Sequence, residues 1–147
     1  MEKYNWIMKK MVKKKSVGGI LIYQNRALII QRAKEETYLP NFWEIPSGKK
    51  EPSEKIEDTV RREFKEEAGV DVEVVKPIHT FNYQVEKETD IRDVTQIDFL
   101  VKANRKPKVK LSPEHQNYAW ITKEEINNYN LSKEIKKAIR KAFTEKV

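Results

Sequence analysis

Apolar residues in this chain come in short runs whose spacing changes from segment to segment. Residues 16–23 (SVGGILIY) and 27–33 (ALIIQRA) read as two strands, and Gln24-Asn25-Arg26 between them predicts a hairpin-like turn. Residues 34–41 read as a loop, and 42–48 (FWEIPSG) as a short strand ended by Pro46 and Gly48. From about Ser53 to Ala68 the apolar positions take on helical spacing, and Gly69 suits the end of that helix. Segments 70–85 and 93–103 predict a long second hairpin around the charged loop EKETDIR. After a polar loop, NYAWIT (117–122) reads as a further strand. Residues 131–143 then place Ile135, Ala138, Ile139, Ala142 and Phe143 on one helical face, with the lysines on the wet side. Strands on both sides of a central helix, plus a terminal helix, predict a mixed α/β or α+β domain.

Composition narrows the class. The 147 residues suit one domain with a genuine core, and 36% of them are charged. No apolar run approaches the roughly 18 residues that span a bilayer, so no membrane partner is expected. The basic start, MEKYNWIMKKMVKKK, lacks the apolar stretch of a secretory signal. There is no cysteine, which excludes disulfides, thiolate metal sites and a cysteine nucleophile. These features make the cytoplasm the expected compartment.

The net charge is +7, and part of the excess sits in residues 1–15, where Lys3, Lys9, Lys10, Lys13, Lys14 and Lys15 face Glu2 alone. We read 1–15 as a basic, solvated N-terminal extension and 16–147 as a single domain. Charge by itself does not make a nucleic-acid site, and no recognised binding fold accompanies it, so nucleic acid is not an expected partner.

The segment 48–70 (GKKEPSEKIEDTVRREFKEEAGV) carries the candidate chemistry. On a wheel of about 100° per residue, Ile56, Val60, Phe64 and Ala68 form the buried stripe. Glu67 projects between Ile56 and Val60, and Glu63 lies beside them. Like charges three and four residues apart repel, and partial burial adds to that cost unless a cation neutralises them. Arg62 can pair with Glu66. Oxygen-only ligands favour hard divalent ions such as Mg²⁺, held by carboxylates together with substrate phosphates. Taken alone, the helix fits a solvated, salt-bridged Glu/Lys helix at least as well as it fits a metal site.

Its surroundings favour the metal site. Gly48, Glu54, Arg62, Glu63, Phe64, Glu66, Glu67, Gly69 and Val70 fill every specified position of a pattern that resembles the Nudix box, G-x5-E-x7-R-E-U-x-E-E-x-G-U, with U a bulky apolar residue. The lead-in ALIIQRA…FWEIPSGK is similar to the MutT-type branch, extending the likeness over about half the chain. Ser47 departs from the pattern, since many relatives carry a second glycine there. The resemblance implies the Nudix α/β/α sandwich with a mixed β-sheet. It implies Glu63, Glu66 and Glu67 as metal ligands, with Gly48 offering its carbonyl and Glu63 serving as base in some members. Arg62 would orient the carboxylates, Glu54 would support the helix start, and Gly69 would release the chain from the helix. The implied cofactor is Mg²⁺, with Mn²⁺ as a substitute.

Outside the box, Glu114 is a candidate further ligand or general base, because relatives often supply one from another loop. Arg32 resembles an arginine that contacts substrate phosphate in MutT-type relatives. His115 reads as an incidental loop histidine and His79 as structural. Tyr38, Trp43, Phe81, Tyr83 and Trp120 are available to stack a base. The implied reaction is metal-dependent hydrolysis of a diphosphate linkage in a nucleoside-diphosphate compound. A (deoxy)nucleoside triphosphate, oxidised or not, is the expected substrate, with monophosphate and pyrophosphate as products. The alternatives are an ADP-ribose or dinucleoside polyphosphate hydrolase, or a nucleotide sensor of the same fold that does not cleave. A small-molecule nucleotide is the expected partner, and a homodimer is a common state in the family.

Overall fold

The structure, a computed structural model, describes residues 9–145. Seven strands form one mixed sheet: β1 (Lys10–Tyr23), β2 (Arg26–Arg32), β3 (Trp43–Glu44), β4 (Ser47–Lys49), β5 (Glu73–Glu86), β6 (Asp90–Lys102) and β7 (His115–Ile121). Helix α1 spans Ile56–Ala68 and α2 spans Lys133–Thr144, with a 3-10 helix at Lys123–Asn128. The main strand order is β3-β2-β1-β6-β5, with β4 beside β1 and β7 beside β2.

Local chemistry explains the joints. The β1–β2 turn is made by Gln24 and Asn25, both with positive φ (49° and 64°), which is how a two-residue hairpin matches strand twist. Acidic Glu57 and Asp58 occupy the first turn of α1, complementing the helix dipole. Gly69 ends α1 in the left-handed region at φ 71°, its N–H bonded to the Lys65 carbonyl. The Ser132 side chain caps α2 by accepting from the Ile135 N–H.

The continuous apolar runs of β1 and β2 arise because both faces of the sheet are covered. Val17, Leu21 and Leu28 pack with Val60, Phe64 and Ala68 of α1. Ile20, Ala27 and Ile29 pack with Ile135, Ala138, Ile139 and Ala142 of α2. Successive strand residues thus serve opposite layers, and the result is an α/β/α sandwich.

Several boundaries differ from the sequence reading: 42–48 is two short strands, β3 and β4, and β6 begins at Asp90, inside the segment read as a charged loop. β1 begins at Lys10 and not at Ser16, running parallel to β6 from Lys10↔Asp90 to Leu21↔Val101. Lys10 and Lys13 there lie beside Asp90 and Asp93, so pairing and opposite charge support a strand with no apolar signature. The basic segment 1–15 is therefore part strand, and its residues 1–8 lie outside the described residues. β7 begins at His115, which is buried and not a loop residue.

Candidate active site

β4 lies antiparallel to β1, with Gly48 opposite Val17 and Ser47 opposite Gly18. The Glu63 carboxylate rests directly against Gly48. A Cβ at Gly48 would lie 2.1 Å from Glu63 Cδ and 2.4 Å from each carboxylate oxygen, so only glycine fits. Ser16 Oγ donates to the Gly48 carbonyl at 3.0 Å. Ser47 donates its backbone N–H to Glu67 Oε1 at 2.9 Å. The residue at position 47 thus acts through its main chain.

Arg62 is the hub behind the carboxylates. Its guanidinium meets Glu54, Glu63 Oε1 (2.9 Å), Glu66 Oε2 (3.3 Å) and the Lys49 carbonyl (3.2 Å). Glu54 also accepts from the Glu51 N–H and from Thr59 Oγ. The bond from Arg62, followed by that N–H, lowers the Glu54 carboxyl to about 2.

Glu63 and Glu67 shift the opposite way. Burial pushes Glu67 up to about 9 despite the Ser47 N–H, and the nearby Glu44, Glu63 and Glu114 add to the rise. Glu63 is raised as well, again chiefly by burial, with Glu66 and Glu114 contributing and Arg62 opposing. Glu66 is more exposed, with 56% of its side chain accessible. Glu114 is exposed and lines the same cleft. One cleft of about 880 Å³ is therefore lined by Gly48, Glu63, Glu66, Glu67, Glu114 and Arg32. Arg62 and Glu54 stand behind it, and Gly69 shapes only the helix end.

Sequence reasoning missed two members. Glu44 lines the cleft, and His115 Nε2 lies 2.7 Å from Glu44 Oε2. Ligand atoms of Glu44, Glu67 and His115 fall within 4.8 Å of one another. The signal for Glu44 was present in FWEIPSG. For His115 it was not, because its burial depends on β7 pairing with β2 (Arg32↔His115). The donor set is dominated by carboxylate oxygens, and its most deeply set acid, Glu67, has no ion-pair partner among the described residues. That composition fits a hard divalent cation.

The candidate aromatics separate. Tyr38, Trp43, Phe81 and Tyr83 line the cleft, and Phe81 stacks on Tyr83 at 5.8 Å between centroids. Trp120 does not line it and packs near Tyr23 at 6.2 Å. Arg32 is braced by the Tyr38 carbonyl (2.8 Å), Glu44 (3.5 Å) and Glu36 (3.6 Å). His79 joins β5 to α2 through Glu134 and Lys141, each at 2.8 Å.

Comparison with known proteins gives a consistent picture. The NUDIX domain family model matches residues 12–143. The nucleoside triphosphatase NudI of Escherichia coli K12 is 31% identical over 121 residues, covering 77% of this chain and 84% of that protein. The crystal structure of a MutT protein from Methanosarcina mazei Go1 superposes with a TM-score of 0.73 at 23% identity, over 91% of this chain and 94% of that one. An Ap4A hydrolase from C. elegans superposes with a TM-score of 0.63 at 25% identity, over 88% and 93%.

Proposed function

This chain belongs to the Nudix hydrolase family, MutT-like in fold, and from that premise we propose that it hydrolyses nucleoside triphosphates to monophosphate and pyrophosphate. The observation that carries the reading is the packing of the Glu63 carboxylate against Gly48 in a nucleotide-sized cleft that Glu44, Glu66, Glu67 and Glu114 also line. The similarity to a nucleoside triphosphatase supports the substrate class.

Glu63, Glu66, Glu67 and the Gly48 carbonyl would hold Mg²⁺, or Mn²⁺ in its place. Bound there, the ion supplies charge neutralisation for the diphosphate and acidifies a water. Arg62 fixes the direction of Glu63 and Glu66 while its other edge is spent on Glu54. Glu114 lines the cleft and forms no ion pair among the described residues, which supports it as the carboxylate that takes the proton from the attacking water. Arg32, braced on three sides, offers a guanidinium to substrate phosphate. Water adds to phosphorus as the bond to the pyrophosphate oxygen breaks, so no covalent intermediate with the chain forms.

The test is release of phosphate and pyrophosphate from a panel of nucleoside triphosphates, ADP-ribose and dinucleoside polyphosphates with Mg²⁺, for wild type and Glu66→Gln. Triphosphate turnover yielding pyrophosphate, lost in the variant, supports the proposal. Turnover of another panel member only would replace the substrate. Tight binding without any turnover would make the protein a sensor.

A further inference from the structure

Deeper in the same cleft, beyond the carboxylates, one face of the sheet continues past the N-terminus of α2 and forms a floor. In register across that floor lie Ser16, Gln96 and Phe81, and next to them Gly18, Asp98 and His79. Gln96 lines the cleft although its residue is only 6% exposed, and Asp98 is fully buried. Gln96 Nε2 donates to Asp98 Oδ1 at 2.8 Å. Gly18 makes room for this pair, since a Cβ there would lie 2.5 Å from Asp98 Oδ1 and 3.1 Å from Gln96 Nε2.

A buried amide bonded to a carboxylate has a defined orientation. An ionised carboxylate can only accept, so it selects the nitrogen end of the amide and leaves the oxygen end for another partner. The sealed, unpartnered polar side-chain atoms among the described residues are Asp90 Oδ1, Arg92 Nε and Asp98 Oδ2. Gln96 Oε1 is not one of them, and Gln96 is a lining residue of the cleft. Phe81 and Tyr83 stand beside it as a stacked aromatic wall, and Tyr38 and Trp43 line the same space. An aromatic wall beside a single oriented acceptor is a setting for a planar ring with an N–H on its edge.

We propose that Gln96, oriented by Asp98, is a specificity-determining residue that selects nucleotides whose base carries an exocyclic amino group over those whose base carries a carbonyl there. The inference rests on the nucleoside triphosphate reading of this cleft. Gln96 contacts the base, and Asp98 is a positioning residue that acts through it. A base carbonyl set against Gln96 Oε1 would oppose two acceptors and leave both without a donor, which is costly in a buried site.

Cytidine and uridine triphosphates differ at this edge and share ring size and sugar, so they form the test pair. Values of kcat/KM are measured for both with wild type, Gln96→Leu and Asp98→Asn. Wild type is expected to favour the cytidine nucleotide by at least about tenfold, expressed mainly in KM. Gln96→Leu removes the acceptor, and the ratio falls toward one, with a thermal melt and a far-ultraviolet spectrum reporting an intact fold. Asp98→Asn, whose amide accepts and donates, frees Gln96 to turn and lowers the ratio in the same direction. Turnover of both nucleotides with a ratio near one in wild type, or a ratio unchanged in Gln96→Leu, overturns the base-reading inference alone. Absence of turnover with every triphosphate overturns the functional reading beneath it.

Discussion

Arg62 grips Glu54 through two parallel hydrogen bonds, Nε to Oε2 at 2.7 Å and Nη2 to Oε1 at 2.8 Å. This fork leaves Nη1 for Glu63 at 2.9 Å and Glu66 at 3.3 Å. One side chain thus ties the loop before α1 to two carboxylates on the helix. A lysine cannot reproduce a planar fork with a third nitrogen to spare. Arg62→Lys is therefore expected to weaken Mg²⁺ affinity about 10- to 100-fold while the folded structure persists. Titration calorimetry and a thermal melt check the two halves, and unchanged affinity would sink the orienting role.

Gly48→Ala should disable the site by geometry. The added methyl would overlap the Glu63 carboxylate, which must then leave its place beside β4. A fall in kcat of about 100-fold or more is expected, with the far-ultraviolet spectrum preserved. Activity within a few-fold of wild type would mean that Glu63 does not work from this position.

Glu67→Gln should move stability and metal response in opposite directions. Without metal, a buried carboxylate among Glu44, Glu63 and Glu114 opposes folding at neutral pH, so the neutral amide should raise Tm. With Mg²⁺, wild type should gain stability from binding to the folded state, and the variant should gain much less. Melts with Mg²⁺ and with a chelator decide it. Equal stabilisation of both proteins by Mg²⁺ would remove Glu67 from the ligand set.

Asp98 gives a pH signature. Burial, the largest influence, raises its carboxyl from 3.8 to about 6, although the Gln96 amide opposes the rise. Between those values the folded chain keeps a proton that the unfolded chain releases, so stability falls as pH rises through that window. The difference corresponds to about 3 kcal/mol by the linkage relation, fully present as a loss above pH 6. Asp98→Asn should remove this slope and be the more stable protein at pH 7. Urea unfolding of both proteins at several pH values tests it, and parallel pH profiles would refute the assignment.

The acidic helix was legible because its evidence is contiguous. Val60, Phe64 and Ala68 mark the buried stripe by helical spacing, and Glu63 and Glu67 fall at its margin on the same wheel. The structure places both half-buried, as that geometry requires. Two-sided burial likewise accounts for the apolar runs of β1 and β2. The opening of β1 was not legible, because Lys10 to Lys15 are strand through pairing with β6 and carry no apolar period of their own.

The sequence by itself determined the family, the sandwich of elements and the carboxylate helix with its glycine, since each is written in the spacing of neighbouring residues. Only the tertiary structure decided that Glu44 meets His115, 71 positions away, and that Gln96 is turned by a buried Asp98 beneath Gly18. It also separated Phe81 and Tyr83, which face the cleft, from Trp120, which does not. Such pairs follow from strand register and from which sheet face remains uncovered beyond α2. Those are long-range outcomes of packing, and a histidine or glutamine has the same local pattern whether it ends in solvent or in a cleft.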